Sequence, residues 1–452
     1  MPVAVIILAA GQGSRMNSDL PKVLHPLAGV PLIAHALRAA EALEPSRIVV
    51  VAGHGGDEVA AEVADRAPEA AVVRQEDQLG TGHAVLQADA ALAGFEGVAL
   101  VLYGDTPLIA PETLAGLVAE VEAGASVAVL GFEAADPGAY GRLVLDDEGA
   151  LLAIVEARDA DAATLAIRLC NSGVLAARAE LLFDLLAEVR PDNAKGEYYL
   201  TDVVALARGR GLSAAARACA EAETLGVNSR ADLAAAEAAF QARARAEALD
   251  NGATLTDPAT VWFAFDTMMG RDVKVGPNVV FGPGVTIESG ATIEAFCHLE
   301  GCHVSRGAVV GPFARLRPGA ELAEDVRVGN FVEVKNAIVD EGAKINHLSY
   351  VGDAHVGGRA NIGAGVITCN YDGVFKHRTE IGAGAFVGSN SALVAPVSIG
   401  AGALIAAGST ITENVPEGAL AVARGRQSVK PGFGARLMDK LRGLKAAARG
   451  AH

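Results

Sequence analysis

The hydrophobic positions of this chain follow two different periods, one in each half. Between residues 1 and 228, short apolar runs such as Val3–Ala9 and Val98–Tyr103 alternate with alanine-rich stretches of helical period at 33–43 and 83–92. Runs of this length, rich in β-branched residues, are typical of buried parallel strands. Their alternation with helices predicts an α/β domain with a mostly parallel sheet and helices on both faces.

In the second half, aliphatic residues recur every six positions. This register begins at Val275, resumes at Val304 after a five-residue step, and runs cleanly again from 381 to 411. No α-helix repeats at six, whereas a parallel β-helix of flat strands and tight corners does. The pattern predicts a β-helix. It also accounts for the 52 glycines of the chain, a share above the usual value of about 7%.

A single helix is predicted between the two halves. Ser229 can cap its start, alanine and glutamate fill it, and Asn251 with Gly252 can end it. At about 1.5 Å per residue it would span about 30 Å, so we expect a spacer without chemistry of its own. The predicted domains are therefore 1–228, a helical linker at 229–250, and a β-helix domain at 251–452 with a basic C-terminal tail.

Charge and cysteine content exclude several classes of protein. The formal net charge of −17 argues against a general nucleic-acid binder. Five scattered cysteines do not form a disulfide framework. The sequence shows no signal-peptide pattern and no apolar run of 18 residues, so we expect a cytoplasmic protein without a membrane partner. Residues 425–452 hold seven Lys or Arg against one acid, and we expect this tail to be mostly disordered, or else an arm that reaches a neighbour's phosphates.

Candidate phosphate chemistry follows the first strand. Gly11 and Gly13 lack side chains, so backbone N–H groups there can approach an anion closely. Arg15 and Lys22 add two cations, an arrangement that suits a polyphosphate. The spacing fits neither a P-loop nor a dinucleotide fingerprint, and a plain glycine turn is the alternative.

Asp105 follows the predicted strand Val98–Tyr103, with only Gly104 between them. Ligands of such sheets bind at the carboxyl ends of the strands, so this carboxylate is expected near the Gly11 loop. Facing a polyphosphate, it would serve as a Mg²⁺ ligand, because Mg²⁺ takes one or two carboxylates together with phosphate oxygens. The alternative is an Asp that only shapes the turn at the strand end or caps a helix.

The full string LAAGxGxRM followed by PK resembles the signature of the sugar-1-phosphate nucleotidyltransferases, although Ser14 stands where that family usually has threonine. The resemblance implies a Rossmann-like nucleotidyltransferase domain in which Arg15 and Lys22 are catalytic, Asp105 and Asn228 bind Mg²⁺, and Gln75 with the segment 80–83 reads the uracil edge. It implies further substrate-binding residues, namely Leu8, Ala9, Ala10, Gly11, Gly80, Thr81, Tyr103 and Gly104 for the nucleotide, and Gly141, Glu156 and Asn171 for N-acetylglucosamine.

Two irregular places interrupt the six-residue register, at 346–350 and in a ten-residue excursion that begins at 369. Excursions from a rigid solenoid often carry function. His347 lies in the first of them, and an imidazole can take a proton from an amine that attacks a thioester. A lone histidine can equally be structural.

The repeats resemble the left-handed β-helix of hexapeptide-repeat acyltransferases, which are trimers that bind acyl donors between neighbouring helices. In order, the segments 311–319, 330–335, 346–350 and 367–373 resemble the acetyltransferase half of a family of bifunctional N-acetylglucosamine-1-phosphate uridylyltransferases and glucosamine-1-phosphate N-acetyltransferases. The resemblance implies His347 as general base. It implies ligand-binding roles as follows: Arg317 and Lys335 on the sugar phosphate; Tyr350, Asn361, Asn370 and Tyr371 around the sugar and acetyl group; Ala364, Ser389, Ala407 and Arg424 along the coenzyme A channel.

We therefore expect a bifunctional enzyme of cell-wall precursor synthesis, a homotrimer whose substrates are acetyl-CoA, glucosamine-1-phosphate, N-acetylglucosamine-1-phosphate and UTP. One alternative is a monofunctional nucleotidyltransferase whose β-helix only assembles subunits, and another is a non-enzymatic scaffold. The spacing of Cys297–His298 and Cys302–His303 could suggest zinc. The register instead places Cys297 inward and His298 outward, so these four residues should not converge on one ion.

Overall fold

The computed structural model describes residues 1–193 and 196–449. The chain forms two compact units. Unit 1 comprises Met1–Asn251 with the short segments Val261–Thr267 and Phe281–Gly284, and unit 2 comprises the rest of the chain after residue 251. The predicted basic tail ends in residues 450–452, which lie outside the described residues.

Unit 1 is an α/β domain built on a nine-stranded sheet. Its strands are β1 Val3–Ala9, β2 Pro26–Leu27, β3 Val30–Pro31, β4 Arg47–Ala52, β5 Ala71–Arg74, β6 Val98–Tyr103, β7 Val127–Glu133, β8 Arg142–Leu145, β9 Leu151–Val155, β10 Leu169–Arg178 and β11 Ala214–Cys219, of which β2 and β3 form a separate hairpin. Its helices are α1 Leu32–Glu41, α2 Gly56–Arg66, α3 Thr81–Leu86, α4 Pro111–Glu122, α5 Ala162–Leu165, α6 Ala179–Glu188, α7 Asp202–Gly209 and α8 Arg230–Asp250. Short 3₁₀ turns occur at Ser14–Met16, Lys22–Leu24, Ala90–Leu92 and Glu221–Thr224.

The sheet order is β11-β7-β10-β6-β1-β4-β5. Strands β4, β1 and β6 are parallel, whereas β10 runs antiparallel to both β6 and β7. Residues 4–9 of β1 are all buried, because hydrophobic clusters cover both faces of the sheet. The predicted strands are confirmed. The helix predicted at 83–92 is shorter, since α3 ends at Leu86 and the chain continues in a 3₁₀ turn.

Helix α8 confirms the predicted helix and its Ser229 cap. The helix packs on its own unit: Ala236 and Phe240 join a cluster with Met16, Leu27 and Leu32. Gln241 Nε2 also donates to the backbone oxygen of Phe263 at 2.7 Å. The helix is therefore a packed part of unit 1.

Unit 2 is a parallel β-helix. Its strands are β12 Thr254–Leu255, β13 Met268–Met269, β14 Lys274–Val275, β15 Val280–Phe281, β16 Thr286–Ile287, β17 Thr292–Ile293, β18 His298–Leu299, β19 Cys302–Val304, β20 Val309–Val310, β21 Arg315–Leu316, β22 Ala320–Leu322, β23 Arg327–Asn330, β24 Glu333–Val339, β25 Lys344–His347, β26 Tyr350–Val356, β27 Asn361–Ile362, β28 Ile367–Cys369, β29 Thr379–Ile381, β30 Phe386–Val387, β31 Ala392–Val394, β32 Val397–Ile399, β33 Leu404–Ile405, β34 Thr410–Ile411 and β35 Leu420–Ala421. A 3₁₀ turn at Pro258–Thr260 lies between β12 and β13, and Phe281 of β15 is counted with unit 1.

The strand pairing explains the six-residue period. Val275 pairs with Ile293 and Val310 pairs with Val328, three six-residue steps further along the chain. Each turn thus carries three short strands, and the repeating aliphatic residue of each points into the core, where these side chains are buried. Cys297 is buried and His298 exposed, as the register predicts.

Two features depart from the regular stack. Residues 370–378 leave it between β28 and β29, and a bridge between Tyr371 and Lys376 closes this excursion. After the last strand, the chain forms helix α9 Phe433–Arg449, so the prediction of a mostly disordered tail is wrong for these residues. Within residues 1–193 and 196–449, no helix has the length and apolarity needed to cross a membrane.

Candidate active sites

A cleft of about 270 Å³ opens in unit 1 at the carboxyl ends of β1 and β6. Ten residues implied by the resemblance line it, namely Leu8, Ala9, Ala10, Gly11, Lys22, Gln75, Gly80, Thr81, Tyr103 and Asp105. Gly104 does not line the cleft, but its N–H donates to the backbone oxygen of Leu8 at 2.9 Å and so stabilises the end of β1. Val23, Gln78, Ala84 and Glu197 also line the cleft and were missed by sequence reasoning.

Gly11 and Gly13 in the loop after β1 lack a side chain for two different structural reasons. Gly13 has a φ of +65°, and a Cβ there would lie 2.6 Å from Cβ of Lys22, so any side chain would displace the lysine. A Cβ on Gly11 would meet nothing within 4 Å. The space beside Gly11 is therefore open to a bound molecule, as expected where a backbone loop receives an anion.

Lys22, Asp105 and Asn228 meet at one point of the cleft. The Lys22 ammonium forms an ion pair with the Asp105 carboxylate and donates to Oδ1 of Asn228 at 3.1 Å. The N–H of Val227 donates to the backbone oxygen of Asp105 at 2.8 Å, which holds the two ligand-bearing segments together. Two oxygens thus converge on a single cation.

This donor set fits a hard divalent metal, since carboxylate and amide oxygens are the ligands that Mg²⁺ takes in proteins. The described part of the chain contains no group of three or more His, Cys, Asp or Glu side chains that could hold a metal ion by themselves. A metal held here by Asp105 and Asn228 would therefore draw its remaining ligands from phosphate oxygens and water. Arg15 is exposed and is not brought into this group.

A second group of cleft residues surrounds the start of α3. The buried Gln75 side chain donates through Nε2 to the Gly80 oxygen at 3.0 Å and lies 3.1 Å from Nδ1 of His83. Gly80 has a φ of +112°, and its backbone lies close to Tyr198. A Cβ on Gly80 would lie 2.6 Å from the backbone oxygen of Tyr198. Burial, with the nearby Asp105 charge, raises the pKa of Tyr103, so this phenol stays a neutral hydrogen-bonding group.

The residues implied for the sugar lie together on the β8–β10 side of unit 1. The N–H of Asn171 donates to the Gly141 oxygen at 2.8 Å, and a Cβ on Gly141 would lie 3.5 Å from Oε1 of Glu156. The buried Arg142 donates to the backbone oxygens of Pro137, Gly138 and Tyr140, which fixes the loop before Gly141. Gly141, Glu156 and Asn171, the residues predicted to bind the sugar, do not line the cleft itself.

The start of α8 holds Asn228 in place. Asp232 accepts hydrogen bonds from the N–H groups of Asn228 at 3.0 Å and Ser229 at 2.9 Å, while the Ser229 hydroxyl accepts from the Asp232 N–H. Arg230 then donates to the Met16 oxygen at 3.2 Å. This helix therefore connects the candidate metal ligand to the glycine loop, a role that sequence reasoning missed although Ser229 and Asp232 have the spacing of a capping pair.

Replacing Asp232 with alanine should raise the Mg²⁺ concentration needed for half-maximal nucleotidyl transfer about fivefold, because loss of a helix cap costs about 1 kcal/mol and frees the Asn228 backbone. Asp161 caps α5 by accepting from the Thr164 N–H at 2.8 Å, so Asp161→Ala is a matched control. Mg²⁺ titrations of pyrophosphate release compare the two. An equal response in both variants would mean that the cap only stabilises the fold.

In unit 2, His347 stands at a corner of the β-helix and is exposed. Its Nδ1 lies 2.7 Å from Oδ1 of Asn330, its partner in the β23–β25 ladder. An amide oxygen only accepts hydrogen bonds, so Nδ1 carries the proton of this bond. Nε2 of the neutral ring then keeps a lone pair that can accept a proton.

Above His347 the same corner carries small residues. The N–H of Gly365 donates to the His347 oxygen, that of Asn390 to the Ala364 oxygen, and that of Gly408 to the Ser389 oxygen, at 2.8–3.1 Å. Arg424 Nη1 donates to the Ala407 oxygen at 2.7 Å. The predicted coenzyme residues thus form one line that begins at the candidate base. This corner column comprises Asn330, His347, Ala364, Ser389 and Ala407.

A cationic group lies on the adjoining β24–β26 face. Arg317 pairs with Glu333 at 2.8 Å. A hydrogen bond between the side chains of Lys335 and Lys376, together with the charge of Lys335, lowers the pKa of Lys376, so these two side chains lie next to each other. Such a pair suits a doubly charged phosphate. Lys376 lies in the excursion and was missed by sequence reasoning.

A buried carboxylate supports this face. Asp353 accepts from Nδ2 of Asn336 at 2.6 Å and from Asn370. Burial raises the pKa of Asp353, but the two hydrogen bonds and the charges of Lys335 and Lys376 together outweigh it, so the pKa is lowered. Asn370 also lies 3.4 Å from the Tyr350 hydroxyl. Tyr350 and Asn370 are thus brought together, whereas Tyr371 is exposed and its hydroxyl donates to Gly373, and Asn361 pairs in register with Lys344.

An exposed apolar ladder runs down the corner below Leu348. Phe296, Phe313 and Phe331 stack with ring centroids 4.9 and 5.1 Å apart, and Leu348 follows on the next turn. All four have a φ between +52° and +60°, a conformation that bulky residues rarely adopt. We name these four residues the corner ladder. Large exposed apolar surfaces commonly mark protein contacts.

Family models match both halves of the chain. The model described as MobA-like NTP transferase domain matches residues 5–196. The model described as Bacterial transferase hexapeptide (six repeats) matches residues 266–301 and 378–413. The first match covers all the cleft-lining residues named above except Glu197, and the second covers repeats on both sides of His347.

Curated relatives match nearly the whole chain. A protein named Bifunctional protein GlmU from Dinoroseobacter shibae is 65% identical over 447 residues, 99% of each chain. Proteins of the same name from Ruegeria sp. and Paracoccus denitrificans are 64% and 66% identical, over 99% and 98% of this chain and 99% of each relative.

Proposed function

The chain belongs to the bifunctional GlmU family, and from this membership we propose how its residues divide two transfers between the two units. It is a bifunctional enzyme that makes UDP-N-acetylglucosamine. One activity transfers acetyl from acetyl-CoA to glucosamine-1-phosphate. The other transfers uridylyl from UTP to N-acetylglucosamine-1-phosphate and releases pyrophosphate.

We place acetyl transfer in unit 2, with His347 as the general base. The amine of glucosamine-1-phosphate attacks the thioester carbon, Nε2 of His347 takes the amine proton, and the carbon–sulfur bond breaks to release coenzyme A. The 2.7 Å contact between Nδ1 and Asn330 supports this assignment, because it orients the ring and leaves Nε2 as the acceptor. Above His347, Ala364, Ser389 and Ala407 leave room for the coenzyme, and Arg424 would contact it.

The sugar phosphate would bind beside this base. Arg317, Lys335 and Lys376 supply three positive groups for its phosphate, and bidentate contact from the Arg317 guanidinium would orient it. Tyr350, Asn361 and Asn370 would contact the sugar and the acetyl group, with Tyr371 from the excursion near the acetyl donor. The hydrogen bonds of Asp353 to Asn336 and Asn370 support a fixed position for this surface.

We place uridylyl transfer in the cleft of unit 1. An oxygen of the sugar phosphate attacks the α-phosphorus of UTP, and pyrophosphate leaves. Gln75, Gly80 and Thr81 would hold the uracil, the Gly11 loop the phosphates, and Gly141, Glu156 and Asn171 the sugar. The enzyme is metal-dependent, and we propose Mg²⁺ held by Asp105 and Asn228, where it would neutralise phosphate charge. Lys22 and Arg15 would stabilise the charge that develops on the phosphates.

We further propose a cytoplasmic homotrimer that supplies cell-wall precursor synthesis, with functional domains at 1–228 and 251–452 and, between them in the chain, the segment 229–250 that packs as α8 on unit 1. The corner ladder supports subunit contacts. Its aromatic residues are 45–56% exposed, and it ends at Leu348, next to the candidate base. A neighbouring β-helix packed there would cover these rings and narrow the space around His347.

The position of His347 Nε2 in the corner column, below Ala364, Ser389 and Ala407, supports a bifunctional enzyme over a monofunctional one. With glucosamine-1-phosphate as the sole sugar, pyrophosphate release from UTP should require acetyl-CoA, because acetylation must come first. N-acetylglucosamine-1-phosphate should remove that requirement. Parallel assays of thiol and pyrophosphate release check both statements. Pyrophosphate release from UTP with glucosamine-1-phosphate as acceptor, at the same rate without acetyl-CoA, would contradict the proposed order.

A further inference from the structure

Helix α9 carries an apolar stripe that no part of its own chain covers within the described residues. Every described side chain between 425 and 447 is exposed. The stripe consists of Phe433, Leu437, Leu441 and Leu444, each 44–58% exposed. At about 100° per residue these positions fall within an arc of about 80°. The helix is therefore amphipathic, and in the described part of the chain its apolar stripe stays exposed.

Basic residues flank the stripe on both sides. Lys440 lies at one edge with Arg436 beyond it, and Lys445 lies at the other with Arg442 beyond it. The single acid of the helix, Asp439, lies opposite the stripe and pairs with Arg442 at 3.5 Å. Long basic side chains at the edges of an apolar face can extend their charges toward phosphate groups while the face is buried.

The charge of this helix is opposite to that of the molecule. The chain has a formal net charge of −17, yet residues 425–452 hold seven Lys or Arg and one acid. Basic amphipathic helices with apolar faces of this kind bind in the interface of anionic bilayers. We propose that α9 binds the surface of a membrane that contains anionic lipids, with the leucine stripe in the acyl boundary and the basic edges at the headgroups. This revises the expectation that the protein has no membrane partner.

The charge pattern disfavours a second copy of α9 as the occupant. Leu437, Leu441 and Leu444 have the spacing of the core positions of a coiled coil, which would place Lys440 and Lys445 at its flanking positions. In a parallel pair, Lys440 of one helix would face Lys445 of the next, and like charges would repel. Anionic headgroups would instead attract both lysines, each contributing about fivefold in affinity.

Cosedimentation of the full-length protein with lipid vesicles tests the proposal. We expect binding to vesicles of phosphatidylglycerol and phosphatidylcholine in equal parts, little binding to pure phosphatidylcholine, and a decrease as salt is raised. The double variant Leu437→Ser with Leu441→Ser should lower affinity about a hundredfold or more, given the apolar area that each leucine buries. Ala435→Ser with Ala446→Ser, on the polar side, is the matched control and should retain binding.

A charge variant separates membrane binding from self-association of α9. Lys440→Gln with Lys445→Gln should weaken binding to anionic vesicles about thirtyfold, in line with loss of two headgroup attractions. Both transferase activities should persist in all these variants, so failure here is distinct from failure of the proposed function. Absence of binding to anionic vesicles at low salt overturns the proposal. If the leucine variant dissociates the oligomer and the wild-type protein does not bind vesicles, the proposal is overturned, and a second copy of α9 is the partner of the stripe.

Discussion

Replacing His347 with alanine is expected to lower acetyl transfer about 10²–10⁴-fold, the range that a positioned general base contributes. The physical reason is local. Asn330 fixes the ring through Nδ1, so Nε2 is the group placed to take the amine proton, and alanine leaves only water for that task. Thiol release from acetyl-CoA in the presence of glucosamine-1-phosphate measures the loss, and pyrophosphate release from UTP with N-acetylglucosamine-1-phosphate as acceptor should remain unchanged.

A second histidine of the same unit provides the control. His303 lies on an outer face, where Nε2 contacts Oε1 of Glu288 at 3.0 Å, and His303→Ala should leave thiol release intact. Asn330→Ala should cause a smaller loss, about tenfold, because the ring keeps its basicity but loses the contact that orients it. Wild-type thiol release in His347→Ala would remove His347 from the mechanism while leaving the enzyme bifunctional.

The sequence predicted the fold best in the segments where hydrophobic residues recur at a strict interval. The six-residue register located buried positions of the β-helix because each side chain at that step must point into a core too narrow for any other arrangement. The strands of unit 1 were predictable because runs such as Val98–Tyr103 are apolar on both faces and too short for a buried helix. Helix α3 ended earlier than expected, since alanine-rich composition does not mark where a helix stops.

Contacts between distant segments were not predictable from composition or spacing. The corner ladder was missed because the register marks inward positions, whereas Phe313 and Phe331 are neighbours only after the coil places them one turn apart. Asp353 and Lys376 were missed for the same reason. Helix α9 could have been found: Leu437, Leu441 and Leu444 have helical spacing, but the basic composition of the tail was given more weight than its period.

For unit 1, the cluster of Lys22, Asp105 and Asn228 leads to the second large effect. Asp105→Asn should lower uridylyl transfer about 10³-fold without affecting acetyl transfer, because one charged ligand of the proposed Mg²⁺ site becomes neutral. Asn228→Ala should act in the same direction. Both variants should require more Mg²⁺ for half-maximal pyrophosphate release. Asp57, which pairs with Arg74 at an exposed position of the same unit, gives the matched control Asp57→Asn.

Lys22 sharpens this test because its ammonium and a divalent cation would compete for the same two oxygens. In Lys22→Met that competition is gone, so binding of Mg²⁺ to the protein without nucleotide should tighten while uridylyl transfer still falls, since the charge that would stabilise the phosphates is also lost. Calorimetric Mg²⁺ titration and pyrophosphate release measured on the same variant separate the two effects. If Lys22→Met left Mg²⁺ binding unchanged, or if Asp105→Asn bound Mg²⁺ as wild type does, Asp105 and Asn228 would not be the metal ligands.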